Sequence, residues 1–229
     1  KYVDSGACYA GITGLDMLVE YSSAARRVMD LQFGGCEIVL AVPEGIKAAK
    51  IEDLAGKRIA TKLPNTAKAY LKAKVVKAEV VELSGATEIA PTAGVADAII
   101  DHVQTGRTLR QNRLKKIDTI SSSTAWLVAC PKQDGDMEET LEELALSLSG
   151  VMKAEGLKYL VLNAPSNEAL ARVVKVLPSM ESPTVLKLAK EGEWAVQTVV
   201  AAKQMARVVR QGKKAGGKDI LVMPLAKVI

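Results

Sequence analysis

The feature that most constrains this chain is a rhythm. From residue 7 to about residue 130, short apolar runs alternate with segments of helical spacing. "ACYAGITG" (7–14) reads as a strand ending in a glycine turn, and "LDMLVEYSSAARRVMDL" places Leu18, Tyr21, Ala25 and Val28 at helical spacing. "CEIVLAVPEG" reads as a strand stopped by Pro43 and Gly45, and "RIATK" as a strand closed by Pro-Asn. "TAKAYLKAK" is helical, "AEVVEL" extended, "SGATEIAPTAG" a loop with a helical turn, and "VADAIID" a strand. "TGRTLRQNRL" then starts a helix, and "TAWLVACP" is again a strand. Strands alternating with helices predict an α/β layer fold with mainly parallel pairing.

After this the rhythm changes. "MEETLEELALSLSGVMKAEG" (137–156) predicts an amphipathic helix, with Leu141, Leu144, Ala145, Leu148, Val151 and Met152 on one stripe and acids in the first turn. "LKYLVLNAP" is a strand, and "SNEALARVVKVL" a helix that Ser166 is placed to cap. "SPTVLKL" and "EWAVQTVVA" are adjacent strands, "AKQMARVVRQGKKAGG" is a helix ended by glycines, and "KDILVMPL" is a last strand. The order βαββαβ is that of the ferredoxin-like unit, so a separate C-terminal domain is expected from residue 153.

Composition narrows the chemistry. The net charge of +5 and pI near 9.0 favour anions in general. Nucleic-acid binding usually adds stacking aromatics or a dense basic stripe. Aromatics are 3% of this chain, and its basic residues are spread among 26 acids, so no nucleic-acid partner is expected. Cys8, Cys36 and Cys130 are far apart and odd in number, and His102 is the sole histidine. That argues against a Cys/His zinc site and for reduced thiols in a cytoplasmic protein. No apolar run approaches the ~20 residues of a membrane span, so no membrane partner is expected, and no signal peptide is visible.

Walker A, GxGxxG, GxSxG and CxxC patterns are all absent from the sequence. The remaining stretch with chemistry is "IIDHVQTGRTL". Backbone N–H groups at a strand–helix junction receive phosphate well. Gly106 lets the backbone approach closely with a positive φ. Thr105 and Thr108 add hydroxyl donors, and Arg107 adds a guanidinium that matches phosphate geometry. Asp101, at the strand end, can accept hydrogen bonds from sugar hydroxyls or hold Mg2+ through water. An acid for a sugar beside a phosphate cradle points to a sugar phosphate, at the strand ends where open α/β sheets bind ligands. On spacing alone, an ordinary turn and helix cap stays open as the other reading.

The same residues carry a family resemblance. "ELSGATEIAPTAGVADAIIDHVQTGRTL" (82–109) resembles the signature of the ATP phosphoribosyltransferases, which open histidine biosynthesis. The pattern is met at Glu88, Gly94, Ala96, Ile99, Asp101, Thr105, Gly106, Thr108 and Leu109. The likeness extends to "GITGLDML", "LAGKRIATKLPN", "LPSMESPTVLKL" and "DILVMPLAKVI". It implies that N1 of ATP displaces pyrophosphate from phosphoribosyl pyrophosphate, with Mg2+ on the pyrophosphate. Thr105, Gly106, Arg107, Thr108 and Leu109 would hold the 5′-phosphate and Asp101 the ribose hydroxyls, with Glu88 nearby and Asp16 facing the same cleft. The implied fold is a two-lobed catalytic region of periplasmic-binding-protein type II form. Lobe I would take residues 1–36 and 127–152, and lobe II residues 37–126. Residues 153–229 would be the regulatory domain of the long form, binding histidine as feedback inhibitor through Ser182, Thr184 and Asn163. A homo-oligomer, from dimer to hexamer, is implied as well. A non-catalytic two-lobed small-molecule-binding protein is the alternative.

Three departures from that pattern bear on the site. His102 stands where the family has Leu, Ile or Val, and is expected to pack as a satisfied core histidine. Leu15 stands where relatives commonly carry a basic residue. Family members also have several dozen residues ahead of "GITG", including a Lys-Gly loop, so an incomplete first lobe is expected.

Overall fold

A computed structural model describes residues 1–132, 135–178 and 182–229. Two compact units divide it, Lys1–Leu141 and Glu142–Ile229.

The first unit opens with β1 (Ala10–Gly14), α1 (Leu15–Glu20) and β2 (Arg26–Asp30). The expected helix through Ala25 and Val28 is therefore wrong: α1 stops at Glu20 and the chain becomes a strand. The cause is local. Ser22 takes a left-handed φ of 47°, and Asp4 Oδ1 accepts both the Ser23 hydroxyl (2.6 Å) and the Ala25 N–H (2.9 Å). A side chain thus takes bonds that the helix would have needed.

Next come β3 (Cys36–Pro43), β4 (Arg58–Thr61), α2 (Pro64–Ala73), β5 (Glu79–Glu82), β6 (Ala98–Val103) and α3 (Arg107–Gln111). A long strand that the sequence did not announce, β7 (Leu114–Ser123), follows, and then β8 (Ala125–Ala129). One sheet is ordered β1-β8-β2, and a five-stranded sheet is ordered β5-β4-β6-β3-β7. Mainly parallel pairing does not hold. β4 runs parallel to β5 and β6, but β3 lies antiparallel between β6 and β7, and the small sheet is antiparallel throughout. β7 escapes the alternation test because its register with β3 shifts twice, at Ile38/Val39 and Leu40/Ala41. Those shifts leave Ile117 and Ile120 unopposed, and both pack onto the core. Bulges break the period of two that marks a strand.

Both faces of the five-stranded sheet are covered. Ile38, Leu40, Ile59 and Ile100 pack on the α2 side, and Val39, Ala41, Ile99 and Leu109 on the other. Ile38, Leu40, Ile59, Ile99 and Ile100 are all but fully buried, each stabilising by about 1.5–3 kcal/mol.

Helix α4 (Gly135–Ala154) spans the division between the units. Its stripe is only partly covered: Leu141 is buried, whereas Leu144 and Val151 are exposed. The second unit continues with β9 (Leu157–Ala164), α5 (Asn167–Val176), β10 (Thr184–Lys187), β11 (Trp194–Ala201), α6 (Met205–Lys214) and β12 (Lys218–Pro224). Its sheet is antiparallel and ordered β10-β11-β9-β12, the ferredoxin-like arrangement expected. Ser166 caps α5, its Oγ accepting the Ala169 N–H at 3.2 Å. Leu160, Leu162, Val196 and Val200 pack under α5 and α6. Strand alternation turns Leu186, Leu221 and Met223 to the other face, where they are exposed.

Candidate functional site

Strand β6 delivers the chemistry. Ala98, Ile99 and Ile100 are buried, and polar residues begin where the sheet runs out. Asp101 lies opposite Val39 and His102 opposite Ile38 on β3, so their side chains leave the strand on opposite faces.

Asp101 has three partners. Its Oδ1 accepts the His102 backbone N–H at 2.8 Å and lies 3.2 Å from Lys62 Nζ and 3.7 Å from His102 Nδ1. Lys62 directly follows β4, the parallel neighbour of β6, which brings the ammonium level with the carboxylate. Burial pushes the Asp101 carboxyl upward, but His102 and then Lys62 outweigh it, and the pKa settles below the usual carboxylate range.

His102 is not a packed core histidine. Its Nε2 meets Asp16 Oδ2 at 2.7 Å. The Asp101 and Asp16 carboxylates, in that order, raise its pKa above the usual value against the opposing effect of burial. Asp16 is fixed in turn. The Ser123 hydroxyl, at the end of β7, donates to Asp16 Oδ1 (2.6 Å) and accepts the Asp16 N–H (3.0 Å). Burial raises the Asp16 carboxyl, and Ser123 and His102 together bring it below normal. Gly14 makes this fit possible: a Cβ there would fall 2.2 Å from Asp16 Oδ1.

The Thr-Gly-Arg-Thr turn follows. Gly106 takes φ 69° as the N-cap of α3, and neither threonine hydroxyl caps the helix. The plain-cap reading therefore loses its hydrogen bond, and both hydroxyls remain as donors. α3 is only five residues long, so its helix dipole is weak, and the donors offered here are those of the turn itself. Arg107 makes no ion pair or hydrogen bond among the described residues.

Glu88, Asp101, His102, Thr105, Gly106, Arg107, Thr108 and Leu109 line one cavity of ≈ 420 Å³, with Cys36 and Gly34 across it. Every lobe residue of the sequence reading lies on this cavity except Asp16, which reaches it through His102. Burial and then Asp16 raise the Cys36 thiol pKa, keeping the thiol protonated. A larger cavity, ≈ 580 Å³, opens beside β1 and α1 against Tyr2, Val3, Leu18 and Tyr21, and none of the signature residues from Glu88 to Leu109 lines it. Lys62 and Ser123 were missed from sequence: Ser123 is 107 residues from Asp16, and no local signal links the two.

In the second unit, Ser182 and Thr184 are exposed at the start of edge strand β10. Asn163 lies in β9, two strands away and about 10 Å across the sheet, where its amide donates to Asp219 at 3.1 Å. Residues 179–181 of "LPSMESPTV" lie outside the described residues.

No group of three or more His, Cys, Asp or Glu side chains able to hold a metal occurs among the described residues, and none of their helices is long and apolar enough to cross a membrane.

Comparison with known proteins gives concordant matches. The ATP phosphoribosyltransferase family model matches residues 1–150, and that of the HisG C-terminal domain matches 154–227. The ATP phosphoribosyltransferase of Methanosarcina barkeri is 39% identical over 234 residues, covering 100% of this chain and 80% of the relative. That of Cytophaga hutchinsonii is 38% identical over 228 residues, covering 100% and 79%. Among solved structures, the ATP phosphoribosyl transferase (HisG:HisZ) complex from Thermotoga maritima matches with 31% identity and a TM-score of 0.57, over 63% of this chain and 70% of that one.

Proposed function

Because the chain belongs to the ATP phosphoribosyltransferase family, we propose that the ≈ 420 Å³ cavity is its phosphoribosyl pyrophosphate site. The observation that carries this reading is that the carboxylates Glu88 and Asp101 and the Thr-Gly-Arg-Thr turn line one cavity. The reaction is a glycosyl transfer: N1 of ATP bonds to C1 of the ribose as the C1–O bond to pyrophosphate breaks. Little covalent help is needed, so orientation and charge dominate. The N–H groups of the turn, the Thr105 and Thr108 hydroxyls and the unpaired Arg107 guanidinium receive the 5′-phosphate. Asp101 accepts from the ribose hydroxyls and faces positive charge that grows on the sugar as the leaving group departs.

Mg2+ fits here as an ion carried on the pyrophosphate, a cation that commonly takes one or two carboxylates with substrate phosphates. Asp101 already holds Lys62 and His102, so Glu88 is the carboxylate of this cavity that would help hold it. When bound, the ion neutralises the departing pyrophosphate.

In this reading, residues 1–36 with 127–152 and residues 37–126 are the two catalytic lobes of a cytoplasmic enzyme. Residues 153–229 bind histidine as inhibitor, with Ser182 and Thr184 on the edge of β10 as contacts and Asn163 as a further one. Exposed Leu186, Leu221 and Met223 supply apolar area for a homo-oligomer between dimer and hexamer. The test is formation of phosphoribosyl-ATP from ATP, phosphoribosyl pyrophosphate and Mg2+. An Asp101→Asn variant is expected to bind phosphoribosyl pyrophosphate at least about tenfold more weakly, and unchanged affinity refutes the site. Calorimetry with no heat on histidine addition refutes the regulatory role, and light scattering that finds only monomer refutes the assembly.

A further inference from the structure

His102 has no part in the chemistry proposed above, yet its ring lies between two carboxylates. Its neighbours on β6 are apolar until Asp101, and a Leu, Ile or Val in its place has no nitrogen. The imidazole faces a carboxylate with each ring nitrogen: Nε2 is 2.7 Å from Asp16 Oδ2 and Nδ1 is 3.7 Å from Asp101 Oδ1. Each ring nitrogen thus has a protein carboxylate close by to compete with substrate for its proton. Its geometry is that of a link.

What it links is unequal. Asp101 stands near the end of a strand, held by Lys62 and by a backbone N–H. Asp16 stands on α1 and is fixed independently of His102. Ser123 makes two hydrogen bonds to it, and Gly14 leaves the space its carboxylate occupies. α1 is itself anchored at its far end, where the buried Glu20 carboxylate accepts from Asn65 N–H, Thr66 N–H and the Thr66 hydroxyl at 2.7–2.9 Å. α1 is therefore a fixed post beside the end of β6 that carries Asp101.

We infer that His102 is a positioning residue that ties Asp101 to Asp16, so that the docked helix α1 presets the carboxylate that receives the ribose. The inference rests on the phosphoribosyl pyrophosphate reading of Asp101. Preset orientation acts on binding of the sugar. It leaves the bond-breaking step to the same groups as before, so the effect falls on affinity and KM more than on kcat.

The experiment uses the full chain and phosphoribosyl pyrophosphate as titrant, with steady-state kinetics alongside calorimetry. His102→Leu removes both ring nitrogens and keeps an apolar side chain in their place. It is expected to raise both the Kd and the KM for phosphoribosyl pyrophosphate about tenfold, with kcat within about twofold. His102→Gln keeps one amide donor for Asp16 and is expected to fall between wild type and His102→Leu. Should the leucine variant fail to fold, the glutamine variant carries the test, and wild-type affinity in it overturns the inference. Adding Asp16→Asn to His102→Leu is expected to weaken binding no further than the worse single change, because both break one link; additive losses refute it. Wild type that binds, with a folded His102→Leu of equal affinity, overturns the inference alone. Wild type that binds no phosphoribosyl pyrophosphate overturns the site reading, and this inference with it.

Discussion

Glu20 is 2% exposed and sits at the last position of α1, where its carboxylate takes the first N–H groups of α2. Oε1 accepts Asn65 N–H at 2.8 Å, and Oε2 accepts Thr66 N–H at 2.9 Å and the Thr66 hydroxyl at 2.7 Å. α2 has no cap of its own, since its N-cap residue is Leu63 with Pro64 after it. Glu20→Ala therefore removes the acceptor that these three donors share among the described residues. Loss of a cap costs up to ~2 kcal/mol, and the third donor adds ~1 kcal/mol. The Glu20 carbonyl keeps its bond from the Asn65 amide (2.9 Å), so the backbone contact survives. The expected loss is about 3 kcal/mol, or a fall in Tm of roughly 10 °C for a unit of this size. Glu20→Gln keeps one acceptor oxygen but turns an NH2 toward donors, and is expected to lose about half as much. Urea unfolding followed by circular dichroism reads both variants. A loss below ~1 kcal/mol in Glu20→Ala would refute the claim that this carboxylate is what holds α1 to α2.

Further outcomes follow from the same geometry. Gly106→Ala places a side chain at φ 69° and is expected to cost about 1 kcal/mol of stability, and its Cβ would lie 3.2 Å from Arg110 Nη1; thermal melts at unchanged stability would contradict that backbone. Stability should also depend on pH through the His102 link. The raised His102 pKa contributes stability fully present below the unfolded histidine value and lost as pH rises through the folded one. The lowered Asp16 and Asp101 pKa values contribute stability present above the unfolded carboxylate value and lost as pH falls. His102→Leu should flatten the alkaline side of that profile, and an unaltered profile from pH 6 to 9 counts against the link. In the second unit, Ser166→Ala removes the α5 cap and should cost about 1 kcal/mol by denaturant midpoint.

Much of this was legible because it is local. Thr105 to Leu109 are contiguous across the start of α3, Gly106 needs the positive φ it takes, and Asp101 ends an apolar run, so neighbouring residues mark the candidate site. The βαββαβ order of the second unit was legible for the same reason, each element being short, periodic and bounded by breakers. What stayed hidden depends on distant partners. Asp4 ends α1 from outside the helix, so "YSSAARRV" keeps helical spacing while its backbone does not. β7 hides its alternation behind two bulges. Lys62, Ser123 and the bridging role of His102 depend on which strands become neighbours, and nothing in their own surroundings announces it. The apolar stripe of α4 was legible as a stripe, but its cover was not: Leu144 and Val151 stay exposed.

Helix α1 follows a strand of the small sheet, yet its Met17 packs into the core beneath the five-stranded one. Melting the larger sheet would expose Met17, free Asp16 and uncap α2 in a single event. The small sheet would lose its connection at the same moment. Residues 1–141 should therefore open as one cooperative body despite containing two sheets, and amide hydrogens of β1 and β6 should exchange with the same global free energy.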